Sequence, residues 1–158
     1  LWKQFTHEGG ISSPFIASWG TRLAGRNRID PTPGHIIDVL PTLLDAASAE
    51  PLRQRQGREL TPLEGRSLLP ALRGGKAQVR DVTGWEHQGH RAVRQGDWKL
   101  VSSYGKPWEL HNMAGDRTEL DDLSAREPAR VASMQALYEK WASRCGVVPW
   151  ASLNPRSK

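Results

Sequence analysis

Apolar positions change their spacing along this chain, and each change marks an element. Residues 15–19 (Phe-Ile-Ala-Ser-Trp), bounded by Pro14 and Gly20, are bulky and mostly apolar and predict a buried strand. Residues 21–33, rich in Arg, Gly, Asn and Pro, predict an exposed loop. Ile36, Ile37, Val39, Leu40, Leu43, Leu44, Ala46 and Ala47 then recur at helical spacing. Pro41 tolerates a helix there only in its first turn, so Asp38 as N-cap predicts a short helix over 38–48. Residues 49–76 show little apolar periodicity and read as a connection. Strand-like runs follow at 79–85, 90–94, 98–102 and 108–112, with turns at Gln95-Gly96-Asp97 and Tyr104-Gly105-Lys106-Pro107. They predict a four-stranded antiparallel sheet whose apolar face draws on Val93, Trp98, Leu100, Trp108 and Leu110. Last, Val131, Met134, Leu137, Tyr138 and Trp141 make one stripe of a helix over 127–144 that should lie on this sheet. Ser124 to Glu127 offers a capping box, Pro128 suits a first turn if the helix starts at Glu127, and Gly146 is the natural stop. Residues 154–158 read as a frayed tail.

Composition narrows the function classes. The 158 residues, 37% hydrophobic and 25% charged, suit a soluble chain of one domain or two small ones with a real core. A net charge of +5 suits an anionic partner such as nucleic acid, sulfate or phosphate. The basic residues are dispersed, however, which reads as a solvated surface, and the expectation is no nucleic-acid partner. The one cysteine, Cys145, excludes an internal disulfide and a cysteine-rich zinc site. No signal peptide or apolar run of membrane-spanning length is present, an absence that says little for a chain read as beginning in the middle of a protein; the expectation is no membrane partner. Most of the seven tryptophans fall at strand positions and read as core packing.

The densest candidate chemistry is at the start: Trp2-Lys3-Gln4-Phe5-Thr6-His7-Glu8-Gly9-Gly10-Ile11-Ser12-Ser13-Pro14. A cation, an imidazole, a carboxylate and a Gly-Gly pair within eight residues suit a loop that approaches a ligand. Lys3 offers a compact charge with three donors for an anion. A surface turn leading into a strand is the competing reading. His35 and Asp38 read as structural, and Glu119, Asp121 and Asp122 as a solvated turn, with no metal site. Ser67 after Gly65 is not a nucleophile elbow, because Leu69 stands where that motif needs glycine.

The spacing Lys3-x-x-x-x-Glu8-Gly9-Gly10-Ile11-x-x-Pro14, followed by an apolar run and Trp19, resembles the second signature region of the sulfatases, bacterial arylsulfatases especially. Further phrases are similar to the same family. They are Asp38-Val39-Leu40-Pro41-Thr42-Leu43-Leu44-Asp45; Gly65-Arg66-Ser67-Leu68-Leu69-Pro70; Glu86-His87 through Gly96-Asp97-Trp98-Lys99-Leu100-Val101; Trp108 to Met113; and Asp116 to Leu123. His90 and His111-Asn112 depart from the usual residues of relatives.

The resemblance implies an α/β chain, the C-terminal part of an alkaline-phosphatase-like sulfatase fold. That means the edge of a large mixed sheet plus a small four-stranded antiparallel sheet packed on a C-terminal helix. The implied organisation is 1–50 as the end of the catalytic domain, 51–76 as connection, 77–150 as the sheet-and-helix subdomain and 151–158 as tail. It implies hydrolysis of sulfate monoesters, aryl sulfates among them, with Lys3 as the catalytic, sulfate-binding cation and Glu8 and the glycines shaping its loop. His7 and His87 are further candidates for substrate binding. The family's formylglycine nucleophile and its Ca2+ (or Mg2+) ligands would lie upstream, so that this chain alone binds no cofactor, is inactive and needs the missing N-terminal part as partner. A periplasmic or secreted location goes with the family. Two alternatives remain: a phosphomonoester or phosphonate hydrolase of the same superfamily, and a non-enzymatic basic binding module.

Overall fold

A computed structural model of the chain describes residues 2–23, 28–76 and 78–154. Part of the expected loop at 21–33 and residues 155–158 of the expected tail lie outside the described residues. In chain order the elements are α1 (Glu8–Ile11), α2 (Val39–Ala46), a hairpin of β1 (Gln54–Arg55) and β2 (Arg58–Glu59), and α3 (Leu69–Leu72). They continue with β3 (Thr83–His87), β4 (His90–Gln95), β5 (Trp98–Ser102), β6 (Glu109–Asn112), α4 (Pro128–Cys145) and α5 (Trp150–Leu153). Contacts divide the chain into two compact units. One joins the residues up to Pro14 to the segment from Arg80 onward, and the other is Phe15–Val79. The N-terminal loop thus belongs with the sheet, where the sequence groups it with 15–50.

In the first unit β3, β4, β5 and β6 form an antiparallel meander in that order. One face buries Val93, Leu100 and Leu110 completely, against Met134, Tyr138 and Ala142 of α4, with Trp98, Trp108 and Trp141 packed around them. Full burial stabilises each such aliphatic side chain by about 1.5–3 kcal/mol, which is why the period-2 runs and the helical stripe find each other. Gly84 makes the packing possible: a Cβ there would lie 2.3 Å from the Trp141 ring. The β3–β4 turn is two residues, Gln88 and Gly89, both at positive φ (53° and 82°), so pairing runs up to His87 opposite His90. That is why β3 sits at 83–87 rather than 79–85. Glu127 occupies the N-cap position of α4 with Pro128 in the first turn. The expected capping box does not form, because Ser124 donates to Asp122 at 2.9 Å instead. At the other end Gly146 adopts the left-handed conformation (φ 67°), its N–H reaching Ser143 and that of Val147 reaching Ala142, a Schellman ending. Residues 150–153 make one more helical turn where the sequence reads tail.

The opposite pleat of the sheet is buried as well: Ala92, Lys99, Val101 and His111 have no more than 1% exposure. Residues 5–8 and the loop after β6 cover it, through contacts described below.

In the second unit α2 follows a turn of 3-10 helix at Ile36–Asp38. Asp38 stands at the α2 N-cap position, but its buried carboxylate accepts from the backbone N–H of His35 (2.8 Å) and Arg66 (2.7 Å). The Arg66 contact needs Gly65, where a Cβ would come 1.9 Å from the Ile37 carbonyl oxygen. Thr42 donates to the Asp38 carbonyl and accepts from Leu68 N–H, and Ser67 bonds Asp45 and the Leu69 N–H, a structural part for that serine. The strand expected at 15–19 does not form: these residues join no ladder, and Phe15 and Ile16 are 54% and 88% exposed. A strand needs a neighbour for its N–H and C=O groups, and the two strands described in this unit pair with each other.

Candidate functional site

Lys3 lies at the tip of a tight turn closed by the Phe5 N–H on the Trp2 carbonyl at 2.8 Å. It is exposed, and among the described residues it has no ion-pair or hydrogen-bond partner. Behind it the chain dives onto the sheet. Phe5 lays its ring 4.5 Å from the His90 ring, and Thr6 and His7 are 1% and 5% exposed. The turn then passes into α1, where Gly10 admits no side chain: a Cβ would sit 1.9 Å from the Phe5 carbonyl oxygen.

Beneath this loop is a cluster of buried charge. Lys99 Nζ, on β5, lies 2.9 Å from Glu8 Oε1 and 2.7 Å from Glu119 Oε1. The other oxygen of Glu119 accepts the Glu8 backbone N–H at 2.7 Å. Beside it His7 Nε2 lies 3.7 Å and His111 Nε2 3.8 Å from Glu109 Oε2. Burial pushes the His7 imidazole below its usual pKa, Glu119 and Glu109 pulling it up and Lys99 pushing it further down. The loop carrying Glu119 is wound on Asp116, whose carboxylate accepts from the N–H groups of Leu120 and Asp121 and from Thr118. Those bonds, the Asp121 and Leu120 N–H groups first, hold the Asp116 carboxyl at a pKa of about 2. Asp122 in turn accepts from Leu110 and Ser124 N–H.

The geometry therefore gathers Lys3, His7 and Glu8 on one short segment over the sheet. His87 stands exposed at the end of β3, across the turn from His90, whose ring Phe5 touches and whose Nδ1 accepts the Tyr104 N–H. Glu119 is a correction to the sequence reading: its side chain is 4% exposed and ion-paired, not solvated. Asp121 and Asp122 are exposed, as expected of a solvated turn, and the Asp122 carboxylate also accepts backbone N–H bonds. Lys99 and Glu109 escape sequence reasoning altogether. Lys99 alternates with Trp98 and Leu100, the pattern of a solvent-facing position, and only the covering loop buries it. Among the described residues no three His, Cys, Asp or Glu side chains converge to hold a metal ion. No helix among them is long and apolar enough to cross a membrane.

No protein-family model matches the chain. It is 29% identical over 155 residues to an uncharacterized sulfatase of Schizosaccharomyces pombe, covering 94% of this chain and 28% of that protein. It is 33% identical over 108 residues to the N-acetylgalactosamine-6-sulfatase of Canis lupus familiaris, covering 68% of this chain and 19% of that protein. Among solved structures, a candidate sulfatase from Bacteroides thetaiotaomicron superposes with a TM-score of 0.51 at 28% identity, over 68% of this chain and 24% of that one. The chain thus spans between about a fifth and just over a quarter of the length of these three proteins. The lysine-loop signature, the meander backed by α4 and these matches agree: the chain belongs to the sulfatase family.

Proposed function

We propose that the protein carrying this chain hydrolyses sulfate monoesters, aryl sulfates among them, and that Lys3 binds a sulfate oxygen at its active site. One observation carries the reading: a compact cation without a counter-ion among the described residues stands at the tip of a turn whose base is buried and ion-paired. Such a cation can meet the ester's charge at once, and it can stabilise charge that gathers on the oxygens as the S–O bond to the leaving group breaks. Its three donors suit the point contacts of a tetrahedral anion. His87, on the same side as Phe5 and His90, is the second group we place against the substrate. His7 supports Lys3 from beneath the loop. Calcium and a formylglycine, if present in the whole protein, would supply the charge neutralisation and the nucleophile; this chain's part is to bind and orient.

The test is the substrate preference of the full-length protein. Turnover of an aryl sulfate well above that of the matching aryl phosphate is the expected result. Turnover of the phosphate ester alone would overturn the sulfatase reading in favour of a phosphate-ester hydrolase.

A further inference from the structure

The six residues from Lys3 to Glu8 end on a charged anchor. Glu8 is held twice, by its carboxylate on Lys99 (2.9 Å) and by its backbone N–H on Glu119 (2.7 Å), and Glu119 is itself tied to Lys99 at 2.7 Å. The three groups close a triangle in which both oxygens of Glu119 are used. Lys99 is wholly buried, so it cannot touch a substrate. Glu119 holds a left-handed backbone (φ 58°), a conformation that non-glycine residues adopt at a disadvantage and keep only where surroundings enforce it. The enforcement here is the double contact of its carboxylate together with the Asp116-wound loop.

We infer that Lys99 and Glu119 are positioning residues for the anion-binding Lys3, acting through Glu8 and the buried run Thr6–His7. The inference rests on the reading of Lys3 given above. A group that must meet a developing charge loses about a hundredfold in rate for a misplacement of the order of an ångström. An anchor buried in the neighbouring sheet keeps the turn from wandering. Lys99 and Glu119 are 96 and 116 residues from Lys3 in sequence, yet they reach its loop through one residue.

A double-mutant cycle in the full-length protein tests it. Lys99→Met should lower kcat/KM for an aryl sulfate about a hundredfold in the parent, and by no more than about threefold when Lys3 is already Ala. The amides of residues 6–8 should exchange faster in Lys99→Met. Losses that multiply in the double variant would overturn the inference, because Lys99 would then act independently of Lys3. Unchanged exchange at the Glu8 amide would overturn the anchor itself, whatever Lys3 does. Parental kinetics for Lys3→Ala alone would instead remove the reading on which the inference stands. Should Lys99→Met fail to fold, Glu119→Gln preserves the acceptor for the Glu8 N–H while deleting the charge. It should lower kcat/KM about tenfold at a near-parental melting temperature, and parental kcat/KM would refute the role.

Discussion

A lysine side chain with no exposure is held in place only by partners that replace water, and Lys99 has two carboxylates at 2.9 and 2.7 Å. Breaking a buried pair from one side leaves uncompensated charge and destabilises by about 3–5 kcal/mol. Lys99→Met should therefore lower the unfolding free energy by that amount in denaturant titration. Combining it with Glu8→Gln and Glu119→Gln should recover much of the loss, whereas an undiminished loss would show that charge is not the cause. His7 gives a pH signature. Its pKa is lowered by burial from the ordinary 6.5, so the folded chain holds it neutral where the unfolded chain begins to protonate. Its contribution is complete above pH 6.5 and is lost as pH falls through the folded value. His7→Gln should flatten the decline of stability below about pH 6.5, although His90, also lowered by burial and by His87, retains a share. An unchanged slope would mean that His7 is not buried neutral. At this scale the sequence was informative about Lys3 as a loop cation and silent about Lys99. Alternation along a strand says which side chains share a face, not whether that face is later covered.

Elements were legible where the signal was local and periodic. The stripe Val131–Trp141 and the period-2 runs bury each other as expected, and Gly146 stops α4 through its left-handed turn. The run at 15–19 has a strand's composition without a partner to complete it, since pairing is not a property of the segment. The Gln88–Gly89 turn was missed because Gln88 takes a positive φ that favours Asn, Asp or Gly. Gly84 lies under Trp141, where a Cβ would come within 2.3 Å of the ring. Gly84→Ala should force α4 away from β3 and destabilise by about 1–3 kcal/mol, the range for overpacking. Near-parental thermal unfolding of this variant would show that the Trp141 ring moves aside freely.

Over the whole chain, the segment Phe15–Val79 shows much apolar surface to solvent. Ile36 is 78% and Leu43 61% exposed, while α2 buries its threonine. Contiguous apolar surface of this kind drives association. The isolated 158-residue chain should self-associate with rising concentration in sedimentation velocity and show no sulfate-ester turnover; a monomer at all concentrations would contradict this. The central proposal, that Lys3 is the anion-binding cation of the active site, is tested most directly by the kinetics of Lys3→Ala and Lys3→Arg in the full-length protein with an aryl sulfate. The account predicts that kcat/KM falls by about a hundred- to a thousandfold for Lys3→Ala, as when one charge-stabilising donor is removed. Lys3→Arg should recover only part of it, because a planar fork does not replace a point charge. Near-parental kcat and KM for Lys3→Ala would contradict the account and leave the turn as surface.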